Sequence, residues 1–518
     1  MRRSGRAGST NYTLAVVCAV LFLTFLDTTI VSVALSDVQS RLHAGVTALQ
    51  WVVNGYALTF ASLMLIAGSL SDRFGRRKVM MAGLAVFALG SLLGALAPNS
   101  SVLIGARVIM GIGAAASEPG TLSVIRHIYP DREERAQALG AWAAVSSLAL
   151  ALGPVIGGVL VGIGTWRAIF WFNVGVTVLV IALATVTLPE SADPEAARLD
   201  VPGFVVGAAA LGALTFAVIL GETDGYSSAV VVSLFVVGVI AMVGFVRVER
   251  ASRSPMLELD YFRSPAFSGA LIVTFVAFFG IFSIFFFTAL YLAAVIGYSP
   301  FRVAVEFLPM TAAMIAAAGL AGRRVALGSP RVPMAEGCVL AGAGMLLSEV
   351  LLSAPRPSIW LMATLALAGF GFGTTVVPVT FVTLAVVRPE RSGMAASATN
   401  TSRELGAVFG VAVLGALVNS HLTTGLTARL HLLKPPIPAN FISVIINAVE
   451  TGIVPSGVKG GGTIEDKVIV AAYAAFRSGL QTALLASGTA LLCAAVVAAV
   501  TLAERGERGE STVDAPAT

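Results

Sequence analysis

Three of the ionisable side chains inside the apolar stretches of this 518-residue sequence are candidates for chemistry: Asp27, Arg107 and Glu118. An ionisable group at bilayer depth costs at least about 2.5 kcal/mol, and by default such a group binds or relays something. Burial favours the neutral form of a carboxylate, whereas an approaching cation favours its charged form. Asp27 could therefore exchange a proton for a cationic molecule. The alternative is that Asp27 only holds helices together through a hydrogen bond.

Arg107 and Glu118 are predicted to share one face of a helix. They are 11 positions apart, which at 100° per residue brings them within about 20° of one direction, roughly 16 Å apart along the axis. Arg107 could pair with either acid, or it could be a cation that snorkels to the outer interface. Pro119 interrupts the backbone ladder, so Glu118 could instead bond to freed amides or lie near the cytoplasmic end.

The composition indicates which elements must position these residues. Hydrophobic residues make up 57% of the chain and charged residues 12%, and the mean hydropathy is +0.89, values far outside the soluble range. Apolar stretches of about 20 residues predict fourteen membrane-spanning helices. Long apolar runs and 53 glycines favour packed helices over a barrel. The predicted spans cover residues 12–36, 47–70, 79–97, 101–125, 137–160, 166–188, 201–221, 228–246, 266–294, 301–321, 332–352, 358–387, 395–420 and 471–502.

Lysine and arginine are divided unequally between the two sides of these spans. The loops on the side of the N-terminus carry 22 of the 33, and the opposite loops carry 7. The positive-inside rule therefore predicts that both termini are cytoplasmic, in the plasma (inner) membrane. The first apolar run is too long for a signal peptide, so it is interpreted as a span. The net charge of +5 then reflects loops beside anionic lipid, not nucleic-acid binding.

Disulfide, metal and nucleotide chemistry find no support in the sequence. The three cysteines each fall in an apolar span, and the four histidines lie scattered at or beyond span ends. No lysine follows a glycine, so a GxxxxGK[ST] phosphate loop is absent. We therefore expect no metal, no cofactor and no catalytic residues, and any work must be driven by an ion gradient or another subunit. A membrane-embedded enzyme would need a polar cluster at one membrane face, which is not found.

An internal repeat organises the spans. A shift of 259 residues places Pro119 on Pro378 and Arg132 on Arg391, so spans 4 and 5 correspond to spans 12 and 13. Chance agreement among residues that are common at span ends is the alternative. Such repeats place a central site between two rocking bundles. The predicted domains are a cytoplasmic N-terminus (1–11), an N-terminal six-helix bundle (12–188), two inserted helices (201–246), a C-terminal six-helix bundle (266–502) with a long external loop (421–470), and a cytoplasmic tail (503–518).

The loop after the second span combines a glycine turn, one acid and several bases. It reads Gly68-Ser-Leu-Ser-Asp72-Arg73-Phe-Gly75-Arg76-Arg77-Lys78. Gly75 allows a tight turn, and Asp72 could pair with arginine side chains or meet a helix N-terminus. Alone, the segment could be a positive-inside anchor. It resembles the GxLaDrxGrkxxl signature of the major facilitator superfamily.

Other motifs resemble the fourteen-helix drug:proton antiporter branch of that superfamily. They are LDTTIV from Leu26, which contains Asp27; the RxxxGxG element at Arg107, Gly111 and Gly113; the GPxxGG antiporter motif at Gly153, Pro154, Gly157 and Gly158; Trp166-Arg167 with Phe172-Asn173; and Arg403-Glu404 in span 13. The resemblance implies a conformational lock between Arg403-Glu404 and the Asp72 loop, and it associates GPxxGG with exporters that do not leak protons. The sequence departs from the pattern at Met110, Ala149, Ala293 and Glu306.

The resemblance implies an all-α major facilitator fold with 14 transmembrane helices, formed by two six-helix bundles plus two inserted helices. It implies a proton-coupled antiporter that exports hydrophobic, cationic drugs or metabolites by alternating access and uses no cofactor besides the proton gradient. We expect a monomer whose partners are these substrates, protons and lipid. An exporter or flippase of lipids or lipid-linked metabolites on the same fold is the alternative.

Aromatic side chains could line a pocket for such molecules. The candidates are Trp51, Tyr56, Trp171, Phe172, Phe370 and Phe372. The phenylalanine-rich run Phe278–Phe287 is expected to face lipid instead.

Overall fold

The computed structural model describes residues 2–129, 131–188, 190, 200–252, 255, 257–352, 359–388, 392–431 and 464–502. The predicted cytoplasmic tail (503–518) and residues 432–463 of the predicted external loop lie outside the described residues. The described part is helical, and each predicted span falls on a helix.

The first eight helices form one packed group, called the first group below. They are α1 (Arg2–Ile30), α2 (Leu35–Leu42), α3 (Val46–Phe74), α4 (Arg76–Ala95), α5 (Ser100–Ser117), α6 (Pro119–Ile128), α7 (Arg132–Ile163) and α8 (Arg167–Thr187). A 3-10 turn, Val31–Ala34, joins α1 to α2. Predicted span 4 is therefore two helices, because Pro119 begins a new helix directly after Glu118.

The remaining helices form a pair and a second packed group. The pair is α9 (Val201–Asp224) and α10 (Ala229–Ala251). The second group is α11 (Pro265–Leu290), α12 (Pro300–Leu327), α13 (Arg331–Leu351), α14 (Ile359–Val386), α15 (Ser392–His431) and α16 (Ile464–Thr501). A π-helical turn, Tyr291–Val295, follows α11.

Local sequence explains where several of these helices begin. The Asn99 side chain accepts a hydrogen bond from the Val102 amide and caps α5. The Asp200 carboxylate accepts one from the Gly203 amide at the start of α9. Such side chains satisfy amides that have no partner within the helix, so the helix starts are fixed by single residues.

The two groups meet along two helix pairs. Helix α7 packs against α12, and α3 packs against α15. Helix α9 touches both α3 and α15, where Val218 lies among Ala57, Val408 and Ala412. The inserted pair therefore lies beside the seam between the groups, and its outward residues are apolar, as Ile240 shows at 66% exposed.

Within the described residues, twelve helices are long and apolar enough to cross a membrane. Helix α3 is not among the twelve, and α9 contributes a shorter apolar stretch, Pro202–Val218. The chain is thus an all-helical, multi-pass membrane protein. The count of fourteen spans stays a prediction.

The expectation that the phenylalanine-rich run faces lipid is wrong. Phe278, Phe282 and the three residues Phe285–Phe287 are buried. Helix α11 packs against α14, α15 and α16, so most of its circumference meets protein. A helix that is apolar all round has the same composition whether lipid or other helices surround it.

Candidate functional site

A fully buried ion pair lies in the centre of the first group. The Arg107 guanidinium on α5 donates through Nη1 to Asp27 Oδ2 on α1, and both residues are 0% exposed. The Asn173 amide on α8 donates to Asp27 Oδ1 at 2.6 Å. Both carboxylate oxygens therefore have a donor, which a buried charge requires.

Helix α3 completes the surroundings of the Arg107 guanidinium. Arg107 Nε donates to the Val52 carbonyl at 2.8 Å, and the guanidinium carbon lies 4.4 Å from the centroid of the Tyr56 ring. The Tyr56 hydroxyl donates to the Thr24 carbonyl on α1 at 3.0 Å. Backbone, ring and carboxylate thus surround the buried cation, and the snorkelling alternative for Arg107 is wrong.

Glu118 does not pair with Arg107. The helix that carries Arg107 ends at Ser117, and the Glu118 carboxylate turns to the second group, where Oε1 accepts a hydrogen bond from Asn400 Nδ2 on α15 at 2.8 Å. Glu118 is 0% exposed. Near Pro119, the amide and the hydroxyl of Thr121 donate hydrogen bonds to the backbone carbonyl of Glu118, not to its carboxylate.

Arg403 and Glu404 lie close to this inter-group contact. Asn400, Arg403 and Glu404 share one face of α15, because they are spaced i, i+3 and i+4. Arg403 Nε lies 3.4 Å from Glu404 Oε1, and both residues are buried. The four residues Glu118, Asn400, Arg403 and Glu404 are called the junction cluster below.

The described contacts of Arg403 differ from the lock that the resemblance implied. Its guanidinium carbon lies 3.8 Å from the Phe25 ring centroid on α1 and 5.5 Å from that of Phe278 on α11. Helix α15 contacts this motif earlier in the sequence, at Gly68. A Cβ atom on Gly68 would lie 3.7 Å from Ser397 Oγ. The side chains of Asp72 and Arg73 lie outside the described residues, so their part in the lock stays a prediction.

The rest of the Gly68–Lys78 motif forms a turn that is hydrogen-bonded to α8. Gly75 ends α3 with φ +107°, a conformation that strains any residue with a side chain. Arg77 Nη2 donates to the Thr185 carbonyl of α8 at 2.6 Å. Arg76 begins α4 directly after the turn.

The GPxxGG motif contacts both groups. A Cβ on Gly153 would lie 1.9 Å from Thr29 Oγ1, and one on Gly157 would lie 2.4 Å from the Ile30 carbonyl oxygen, so these two glycines fit α7 against α1. Thr29 also donates to the Leu150 carbonyl at 2.9 Å. The next glycine faces the opposite way.

Gly158 faces the second group. A Cβ on Gly158 would lie 2.4 Å from Ala304 Cβ and 2.8 Å from the Pro300 carbonyl oxygen, both on α12. One turn further on, a Cβ on Gly162 would lie 3.6 Å from Phe301 Cβ. Pro154 lies inside α7 between the glycines that face α1. The motif therefore brings α7 close to its own group and to the other group at once.

A small cavity lies between the groups, beside the junction cluster. Trp142 and Ser146 of α7 line one side, and Thr274, Phe278, Asn400 and Arg403 of the second group contribute to the other. Its volume of about 40 Å³ holds a few water molecules and is far below the roughly 300–1,000 Å³ of a drug-sized site. A bulky molecule would enter only if the groups separated.

The predicted pocket aromatics are dispersed. The Tyr56 ring packs against the buried Arg107 guanidinium. Trp51 packs on Phe216 of α9, with ring centroids 5.4 Å apart. Trp171 is 49% exposed on the outer surface, which places it away from any internal pocket. Phe172 is half-buried against the core, and the two α14 residues, half-buried Phe370 and buried Phe372, are absent from the cavity lining.

The sequence interpretation gave no site role to three residues of the site, although it named Asn173 within a motif. Asn173 and Asn400 each supply the amide that binds a buried carboxylate, and Trp142 Nε1 donates to Thr121 Oγ1 at 3.1 Å beside the cavity. Both asparagines are polar residues inside predicted spans, Asn173 in a long apolar stretch and Asn400 one turn before Arg403. That signal could have identified them, because a buried amide needs a partner.

These features define a multi-pass membrane transporter, with two helical groups that enclose polar centres. The chain belongs to the Major Facilitator Superfamily, whose family model matches residues 17–411.

Curated relatives are antibiotic and multidrug resistance proteins. The chain is 33% identical over 474 residues to the multidrug resistance protein Stp of Mycobacterium tuberculosis, which covers 91% of this chain and 88% of that protein. It is 35% identical over 432 residues to the methylenomycin A resistance protein of Bacillus subtilis, and the match covers 82% of this chain and 92% of that protein. A solved bacterial homologue of the human lysosomal transporter Spinster, in an inward-facing and occupied conformation, shares the fold with a TM-score of 0.61 and 18% identity over 95% and 96% of the two chains.

Proposed function

We propose that this protein is a proton-coupled antiporter that exports hydrophobic, cationic drugs or metabolites across the plasma membrane by alternating access. The observation that carries the proposal is the set of buried ionisable groups at the core and seam of two helical groups: Asp27 with Arg107, and Glu118 at the junction. Intramembrane ionisable groups of this kind mark ion and substrate pathways. The resistance functions of the relatives support a drug as the cargo.

The proposal includes fourteen spans with both termini in the cytoplasm. Two helices would be added to the twelve long apolar ones: α3, with 29 residues, and α9, with 24 residues. At 1.5 Å per residue they are about 43 and 36 Å long, enough to cross a hydrocarbon core of about 30 Å. An even number of spans agrees with the excess of arginine and lysine on the side of the N-terminus. The protein acts as a monomer and uses the proton gradient without a cofactor.

Transport of ethidium into proteoliposomes tests this function. We expect an imposed pH gradient to drive ethidium accumulation by the wild-type protein, and we expect accumulation to disappear when nigericin collapses the gradient. Empty liposomes and Asp27→Asn proteoliposomes are the controls, and the variant is expected to accumulate less. Ethidium flux equal to that of empty liposomes under every gradient would contradict cation export. A fluorescent phospholipid that the same proteoliposomes move across the bilayer would then favour the lipid exporter.

A further inference from the structure

The junction cluster has unsatisfied polar atoms at the seam between the two groups. Among the described residues, Glu118 Oε2, Glu404 Oε2 and Arg403 Nη2 are buried and have no hydrogen-bond partner. Glu118, Glu404 and Arg403 are 0%, 2% and 7% exposed. Buried polar atoms without partners are rare and costly, so they indicate that something else binds there.

The Asp27 carboxylate differs from the Glu118 carboxyl group in both respects. Each Asp27 oxygen has a donor, and those donors, Arg107 and Asn173, belong to the first group. A movement of one group against the other leaves this centre unchanged. Glu118 is the carboxyl group whose described side-chain hydrogen bond crosses the seam, so the movement must change its surroundings.

The charges of the junction cluster do not balance. Among the described residues of the cluster, one guanidinium, Arg403, lies buried with two carboxyl groups, Glu118 and Glu404. Arg403 pairs with Glu404, and the facing titratable group from α3 is the neutral phenol of Tyr56. The neutral amide of Asn400 is the described donor to Glu118. Charge balance at a buried site therefore requires one further positive charge, which a proton on Glu118 supplies.

The cavity provides a route by which the proton on Glu118 can be exchanged with water or a cation. Asn400 and Arg403 line the cavity, and so does Trp142, which is bonded through Thr121 to the backbone of Glu118. Water or a cation that enters from this side comes within one residue of the Glu118 carboxyl. The rings of Trp142 and Phe278 offer a cation apolar, electron-rich faces.

We propose that Glu118 is the proton-exchanging carboxyl of the transport cycle, and this inference rests on the proposed antiport. Glu118 carries a proton while the groups are closed around the cavity. When a cationic substrate binds at the junction cluster, the O–H bond of Glu118 breaks, the proton leaves to water and the carboxylate stays as the counter-charge. One proton leaves for each positive charge that arrives, so the cluster keeps its total charge.

Glu118→Gln tests this assignment, because glutamine keeps an acceptor for Asn400 but cannot release a proton. Proteoliposomes are assayed for pH-gradient-driven ethidium accumulation and for exchange of external ethidium with internal ethidium without a gradient. We expect the variant to lose gradient-driven accumulation by about tenfold or more, within the range of site-to-site coupling free energies, and to retain exchange only at raised ethidium concentrations, because glutamine supplies no counter-charge. Glu306→Gln is the matched control, because Glu306 is also buried, at 3% exposed, but pairs with Arg302 of its own helix at 3.1 Å. It should keep both activities.

Gradient-driven accumulation by Glu118→Gln at the level of Glu306→Gln would overturn the assignment. If Glu118→Gln loses exchange as well, Glu118→Asp decides, because aspartate keeps the titratable group. Recovery of both activities in Glu118→Asp supports the assignment, and loss of both in Glu118→Asp shows a structural role and overturns it. Failure of the wild-type protein to accumulate ethidium contradicts the proposed function itself, so the two failures are distinguishable.

Discussion

Replacement of Asp27 with alanine is expected to destabilise the folded protein by about 3–5 kcal/mol, because it leaves a buried guanidinium without its carboxylate. Arg107 is 0% exposed, so the guanidinium has no contact with bulk solvent to compensate for the lost partner. The Val52 carbonyl and the Tyr56 ring would stay in contact with the cation, but neither carries a negative charge. Thermal unfolding of the detergent-solubilised protein measures the loss.

Two further variants separate charge burial from general damage. The double variant Asp27→Leu with Arg107→Met removes both charges and should unfold at a higher temperature than Asp27→Ala. Asp260→Ala removes one partner of an ion pair whose side chains are 87% and 83% exposed, and should change little. An Asp27→Ala protein that unfolds at the wild-type temperature would show that the buried pair does not hold the first group together.

Replacement of adjacent glycines in α7 is expected to give two different defects. Gly157→Ala places a methyl group against the Ile30 carbonyl, within the first group, and should cost about 1–3 kcal/mol of folding free energy. Gly158→Ala places one against Ala304 of α12, so it should weaken the closed arrangement of the groups and leave the stability of the first group unchanged. Thermal unfolding reports the first effect.

Distances between spin labels report the second effect. Labels at Ile163→Cys and Val350→Cys, both exposed positions on the two groups, require Cys18, Cys338 and Cys493 to be replaced by serine. We expect the distance to lengthen in Gly158→Ala and to stay unchanged in Gly175→Ala, since a Cβ on Gly175 meets nothing within 4 Å. An unchanged distance in Gly158→Ala would mean that the α7–α12 contact does not govern closure.

Local patterns predicted the helices and one of the polar centres. Apolar stretches of bilayer length gave the helix positions, and the GPxxGG glycines indicated close helix contact. The pairing of Arg107 with an acid was foreseen, but its choice of Asp27 was not. That choice depends on the break at Pro119, which turns the Glu118 carboxylate away from Arg107.

Contacts between distant parts of the chain could not be predicted in this way. Glu118 and Asn400 are 282 residues apart, and no local periodicity connects them. Arg403 and Glu404 are adjacent residues that leave a helix about 100° apart, yet the long Arg403 side chain reaches Glu404. Lipid and neighbouring helices both select apolar side chains, so the buried face of α11 could not be distinguished from a lipid face.

A reversible cross-link between the two groups tests the central claim, that transport requires them to separate. Gly162→Cys with Phe301→Cys, in the protein without its native cysteines, places two Cβ atoms about 3.6 Å apart, within the range for a disulfide. We predict that oxidation forms the cross-link and stops gradient-driven ethidium transport, that a reductant restores it, and that neither single-cysteine variant responds. Undiminished transport by the fully cross-linked protein would contradict alternating access at the α7–α12 contact.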